Sequence, residues 1–496
     1  MDATLFRSLV TVESAPGNLE NAGPTMPAKA VPRTYPAVPQ RPVSIELDRI
    51  QRFATSPPTS GLTTPAEERS DLEMSGTATP SEPADGIEAM QSMWDPYMNR
   101  FRLLSVCLLN FLNGMNDSAA GALIPYIEKD YDIGYAIVSL IFVGNAIGFI
   151  TAALFLDSLR EHLGRAKSLA LAELLMVGGY IPVVCSAPFP VIVVAYFFIG
   201  LGMSVTIAMG NVFCGSLHNG TTMLGAMHGS YGIGGIVGPL IATAIVTIGH
   251  ASWARYYLIT LGLAVINCGF AAYVFWGYEK DMSRQALISQ PSLDRVSSPR
   301  ARLAGMFTAF SSRVVLLGAL FIFAYQGAEV SISGWVISFL INTRKGDPSS
   351  VGYVTSGFWA GITIGRFVLA APAHRIGEKV FVYGLVIGAT IFEILVWWVP
   401  NVIGDAISVA IVGLLLGPVY PCAAAVFMRT MSRSEQITGL GVISAFGSSG
   451  GAAAPFTTGI LAQAVGTFVL HPVAIALFAV MLICWYGLPS DRKRNE

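Results

Sequence analysis

Gly144-Asn145-Ala146-Ile147-Gly148 lies in one apolar stretch, and Gly361-Ile362-Thr363-Ile364-Gly365 lies in another, 217 positions later. Gly234, Gly235 and Pro239 recur as Gly450, Gly451 and Pro455, offset by 216, and Gly114 and Gly121 recur as Gly327 and Gly334, offset by 213. One coincidence means little in a chain with 51 glycines. Three groups at nearly one spacing indicate two homologous halves, the arrangement that places a cleft between repeats in many carriers.

Composition sets the solvent. The 496 residues are 53% hydrophobic and 12% charged, against about 25% charged in soluble domains. Most of the chain therefore sits in lipid. The net charge of −1 offers no attraction to nucleic acid. Cys107, Cys185, Cys214, Cys268, Cys422 and Cys484 lie in or beside apolar stretches without paired spacing. They read as small hydrophobes packed between helices, and no disulfide, metal site or cofactor is expected.

Residues 1–95 are rich in Pro, Ser, Thr, Glu and Ala and are expected to form a disordered cytoplasmic tail, because they bury too little apolar surface to offset ordering entropy. Ser56-Pro57, Thr64-Pro65 and Thr79-Pro80 suit proline-directed kinases, although ordinary low-complexity sequence explains them as well. No basic segment followed by an apolar core opens the chain, so a cleaved signal peptide is not expected.

A helix needs about 20 apolar residues to cross a membrane. Twelve such spans follow: 101–125, 134–156, 168–186, 189–213, 226–248, 256–277, 314–341, 351–371, 379–399, 402–428, 437–462 and 468–488. The fold expected is all-α, with six-helix halves at 96–277 and 314–488, a cytoplasmic linker at 278–313 and a C-terminal tail at 489–496. Lys and Arg orient it. Arg100, Arg102, Arg160, Arg165, Lys167, the linker cations, Arg375, Lys379, Arg429, Arg433 and Arg492 share the side of the tail, while Lys129, Arg255, Arg344 and Lys345 face the other. Both termini are therefore expected in the cytoplasm. The plasma membrane is the default location and an organelle membrane the alternative. The sequon at Asn219 then faces the cytoplasm and is expected to stay unused.

Ionisable groups inside spans each cost about 2.5–3.5 kcal/mol on insertion scales. Asn113, Asn116 and Asp117 share one helix face by i, i+3, i+4 spacing, which is expected to line a polar cavity. Substrate hydrogen bonding and proton carriage both suit Asp117, and so does a polar cluster joining helices. In the second half Gln326, Glu329 and Ser333, in the stretch that begins at Tyr325, share a face by similar spacing, placing Glu329 near the depth of Asp117. Arg366 is positioned to neutralise a carboxylate, to gate, or to reach the headgroups. Glu173 reads as packed or snorkelling, and Glu393, beside Trp397 and Trp398, as structural. His228, at a helix end, reads as packed or solvated. Gly235 with Pro239, and Gly451 with Pro455, are expected to bend spans five and eleven at the seam between halves.

Twelve spans with a cytoplasmic link resemble the major facilitator superfamily. Leu156-Asp157 through Leu163-Gly164-Arg165-Ala166-Lys167 is similar to that family's loop between spans two and three, which implies gating roles for Asp157, Arg160 and Arg165. This loop is longer than the family pattern, with Ser158-Leu159 between Asp157 and Arg160. Asn113 through Asp117, Tyr325 through Glu329 with Trp335, Phe358-Trp359 through Arg366, and His228 through Pro239 look more specifically like the fucose–proton symporter branch. That branch carries an acid in span four after Gly-Leu-Gly. Here Gly200-Leu201-Gly202 leads into Met203-Ser204-Val205-Thr206, so either Asp117 couples protons alone or coupling is absent.

The resemblance implies a secondary transporter working by alternating access on a small organic, sugar-like solute, with Asn113, Asn116, Asp117, Tyr325, Gln326, Glu329, Trp335 and Trp359 as substrate or coupling residues. An exporter of a hydrophobic metabolite or drug is the alternative, and a non-transporting membrane sensor is a third reading. No nucleophile–base pair or phosphate loop points to an enzyme. The partners expected are a small-molecule substrate, the lipid bilayer and protons, with no nucleic acid and a monomeric chain.

Overall fold

The structure is a computed structural model that describes residues 91–281, 312–431 and 433–489. The expected tail up to residue 90, most of the expected linker and residues 490–496 lie outside the described residues. Among the described residues the regular structure is helical.

Twelve helical spans appear in order. The first half contains α1 (Asn99–Tyr131), α2 (Tyr135–Leu156), α3 (Ser158–Val184), α4 (Phe189–Gly215), α5 (Gly220–Thr247) and α6 (Tyr256–Phe275). The second contains α7 (Arg313–Asn342), α8 (Val354–Val368), α9 (Glu378–Trp398), α10 (Val402–Thr430), α11 (Arg433–Val465) and α12 (Leu470–Gly487). Nine of these regions are long and apolar enough to cross a membrane by composition alone. The three that miss that mark are α1, α8 and α11, and each packs across the boundary between halves. Their outward faces need not be apolar all round, which is why α1 tolerates Asn110, Asn113, Asn116 and Asp117.

Repeated glycines make repeated contacts. A Cβ at Gly144 or Gly148 would strike the carbonyl oxygens of Val193 and Phe197 on α4. At Gly361 or Gly365 it would strike those of Ala410 and Leu414 on α10, again 217 positions on. Gly234 lies under Phe111 O of α1, as Gly450 lies under Phe323 O of α7. Missing side chains thus set the α2–α4, α8–α10, α1–α5 and α7–α11 spacings.

The loops repeat as well. The backbone from Leu140 to Val184 stays helical except at Gly164, where φ 70° and ψ 175° redirect it. Gly377, with φ 96°, turns the chain into α9 in the same way. Only glycine reaches such angles at little cost. The halves meet where α5 packs on α8, α2 on α11, and α1 on α7 and α8. Exposed Tyr273, Trp276 and Tyr486 at one end and Trp398 at the other suit the two interfacial belts of a bilayer.

The first half begins earlier than its sequence boundary. Gln91 O accepts from His218 N–H at 2.7 Å, and Gln91 Nε2 donates to Asp281 O at 3.0 Å. Residues 91–95 are therefore tied to the helices. Tyr278 and Asp281, at the start of the expected linker, are also docked: Arg102 pairs with Asp281, and the guanidiniums of Arg102 and Arg165 lie 4.9 and 4.4 Å from the Tyr278 ring centre.

Candidate functional site

A band of polar and aromatic side chains lies between the halves at mid-depth. It is built by α1, α5, α7 and α8. The Tyr231 hydroxyl on α5 donates to Asp117 Oδ2 on α1 at 2.6 Å. The Tyr231 ring meets Trp359 of α8 edge-on at 5.8 Å. Trp359 Nε1 in turn donates to Ser333 Oγ of α7 at 2.9 Å. Glycines admit this arrangement: a Cβ at Gly235 would stand 2.9 Å from the Trp359 ring, and one at Gly232 would collide with Thr363.

Charge converges on the same place. Glu329 and Tyr325 on α7 are buried, and Arg366 on α8 is close enough to act electrostatically on both and on Tyr231. Asp117 and Glu329 also act on each other. Arg366 Nε donates to Gly417 O at 3.4 Å, and the Tyr325 hydroxyl lies close to both Glu329 and Arg366. Two carboxylates, one guanidinium and the Tyr325 hydroxyl thus flank an aromatic pair. Such a set can accept and donate hydrogen bonds to a polar solute while a ring face covers its apolar side.

The family model described as Major Facilitator Superfamily matches residues 106–455 and 330–496. The chain belongs to the major facilitator superfamily. It is 27% identical over 424 residues to Bypass of stop codon protein 6 of Saccharomyces cerevisiae, covering 79% of this chain and 83% of that protein. It is 22% identical to a glucose/galactose transporter of Brucella abortus, covering 79% and 95%. Among solved structures it resembles the nucleoside transporter NupG, with TM-score 0.63 at 11% identity over 78% of this chain and 98% of that one. A D-xylose–proton symporter gives TM-score 0.61 at 14% identity over 79% and 98%. At these identities the structures establish the fold.

Within this facilitator fold, the shared face expected on α1 divides. Asn113 Nδ2 donates to Thr206 Oγ1 of α4 at 3.0 Å, and Asn116 Nδ2 reaches Met203 Sδ at 3.4 Å. Tyr180 of α3 donates to Asn116 Oδ1 at 3.3 Å. Both amides are buried inside the first half, and Asp117 alone turns toward the second. Met203 and Thr206, which stand where an acid was expected in α4, are the residues that hold them. Gln326 lies against α11, where a Cβ on Gly447 would touch its Oε1.

Trp335 sits apart from the central band. Its Nε1 donates to Pro455 O at 2.9 Å, and Tyr135 of α2 meets it edge-on at 5.6 Å. Nearby Thr243 Oγ1 of α5 donates to Gly352 O at 2.9 Å, and Gly134 and Gly459 abut Gln463 and Ser139 across the halves. These contacts close the end of the molecule that holds Arg344. At the opposite end two contacts lie within single halves. The Arg165 N–H donates to Glu279 Oε1 at 2.7 Å, and Arg429 pairs with Glu378 at 2.9 Å. Arg160 lies near enough to Arg165 for the like charges to act on each other, while the side chain of Asp157 lies outside the described residues. Gly235 packs on Trp359, and Gly451 lies 3.4 Å, by its missing Cβ, from Val330. α5 and α11 both run as single helices through Pro239 and Pro455.

Sequence reading missed one buried network. Arg344 Nε donates to Asp405 Oδ2 at 3.0 Å, and its Nη2 donates to the carbonyls of Val396 and Trp397 at the end of α9. Beside it Glu393 pairs with His471 at 2.7 Å, both fully buried. Glu393 was read as structural. Its partner lies 78 positions away, and nothing local to His471 announces it.

Proposed function

We propose that the chain carries a small polyhydroxylated solute across its membrane by alternating access, with protons moving alongside. The observation that carries this reading is the run Asp117–Tyr231–Trp359–Ser333, which bridges the halves through two hydrogen bonds and one aromatic contact. A sugar ring has hydroxyls for the polar groups and an apolar face for Trp359. The relative named as a glucose/galactose transporter, and another named sodium-dependent glucose transporter 1A from Mus musculus, 26% identical over half of this chain, support the same class.

In this reading Asp117 and Glu329 bind solute or proton, Tyr325, Arg366 and Trp359 shape the pocket, and residues 96–277 and 314–488 rock as two bodies. Gly235, Pro239, Gly451 and Pro455 lie on the seam, and Arg160 and Arg165 belong to the opposite gate. With both termini in the cytoplasm, the orientation that the loop charges favour, the Trp335 end closes toward the outside and the protein faces inward. The same reading takes the protein as a plasma-membrane carrier acting as a monomer.

Reconstituted vesicles test it. Saturable uptake of D-glucose, D-galactose or D-xylose, stimulated by an inward proton gradient, is expected. Asp117→Asn is expected to abolish the stimulation. Uptake indifferent to pH and to Asp117→Asn would remove protons from the scheme, and binding without flux would favour a sensor.

A further inference from the structure

Glu173 has no counterpart in the solute site and no partner of its own. It lies on α3, fully buried, and neither carboxylate oxygen has a hydrogen-bond partner among the described residues. The snorkelling reading fails, because the side chain reaches neither end of the helix. Nor do the helices around it offer a counter-charge. α3 packs on α4 and α6, is joined to α2, and meets the charged 278–281 segment at Gly164 and Arg165, at least two turns from Glu173. α2, α4 and α6 contain no Asp, Glu, Lys, Arg or His at all. The titratable groups that face Glu173 are Cys268 on α6, whose Sγ donates to Ala170 O at 3.5 Å, and Tyr180 on its own helix. Asp117 is the next acid, beyond Tyr180 and Asn116.

The interior of the first half holds acceptors in excess. Asn110 Oδ1 and Asn113 Oδ1 on α1 are also buried without partners, and Asn267 Nδ2 of α6 is engaged with Leu108 O at 3.3 Å. An ionised carboxylate would add one more acceptor and an uncompensated charge to a dry interior. A proton removes the charge and supplies a donor.

Tyr180 connects this place to the solute site. It stands seven residues beyond Glu173, two turns along the same face, and its hydroxyl donates to Asn116 Oδ1, beside Asp117. We infer that Glu173 is a proton-binding site of the first half, occupied in the conformation seen here and emptied toward Asp117 along the face of α3 that carries Tyr180. Its link to transport rests on the function proposed above, whereas its occupancy does not.

Infrared titration of the purified full chain in lipid nanodiscs reads the occupancy directly and needs no solute. A protonated-carboxyl C=O absorption at neutral pH is expected in the wild type and in Asp117→Asn, and one component of it is expected to be missing in the Glu173→Gln difference spectrum. A spectrum unchanged by Glu173→Gln overturns the site. Vesicles read the emptying. Glu173→Gln is expected to keep D-galactose counterflow within about twofold while its gradient-driven accumulation falls to equilibrium, with Glu173→Asp restoring part of it. Loss of that component with unchanged accumulation overturns the emptying. Should the wild type take up none of the sugars, the solute reading fails and the infrared result still decides the proton site.

Discussion

Tyr135→Ala combined with Thr243→Val should open the closed end. Tyr135 contributes one edge-on contact with Trp335 at 5.6 Å, and Thr243 one hydrogen bond of 2.9 Å to Gly352 O. Both join the two halves, and neither survives separation of that end. The aromatic pair is worth about 1 kcal/mol beyond burial, and the neutral hydrogen bond about 1 kcal/mol net. The two contacts share no residue, so the losses should add to about 2 kcal/mol. Because they are made in one state only, the whole loss falls on the equilibrium between states, and about 1.4 kcal/mol per tenfold makes that about 30-fold. Ser139 is buried against Gly459 at this seam, so Ser139→Cys reports opening. The assay is its alkylation rate with an impermeant maleimide, on a Cys185→Ser background because Cys185 is exposed. An acceleration of about 30-fold is expected. A rate within about twofold of the parent, in protein that remains folded, would show that these contacts do not hold the end shut.

Three further outcomes follow from the packing. Arg344→Ala strips Asp405 and the α9 carbonyls of their donor and should cost about 3–5 kcal/mol, seen as a fall in thermal unfolding temperature. Glu393→Leu or His471→Phe alone should destabilise more than the two together, because each single change strands a buried partner, which a double-mutant cycle measures. Gly144→Leu and Gly361→Leu should both prevent recovery of monodisperse protein, whereas Gly178→Ala, with nothing within 4 Å, should unfold at or slightly above the parent temperature.

What the sequence disclosed depended on whether a residue acts by its own shape or by its partner. Gly144, Gly148, Gly361 and Gly365 act by lacking a Cβ, and their spacing gave the repeat and the helix pairs. The division of Asn113, Asn116 and Asp117 between α4 and α5 was hidden. Spacing of three and four fixes a shared stripe but not how that stripe straddles two neighbours. Arg366 was legible as a cation near a helix end, yet its neighbours Tyr325 and Glu329 come from α7. The Glu393–His471 pair was illegible for the same reason, since α9 and α12 meet only in the folded chain.

The distribution of charge fits the motion proposed. Among the described residues, Arg102–Asp281, Arg344–Asp405 and Arg429–Glu378, with the hydrogen-bonded Glu393–His471 pair, each join segments of one half. Breaking a buried pair costs about 3–5 kcal/mol. Several such pairs across the seam would hold one conformation for good, whereas inside a half they stiffen a body that moves as a unit. The seam uses weaker means: Gly121 under Ser333 O, Thr363 against Gly232, Tyr135 against Trp335 and Thr243 to Gly352 O. Contacts worth about 1 kcal/mol each leave states within a few kcal/mol of one another, so binding of a solute or a proton between Asp117 and Glu329 is enough to choose among them.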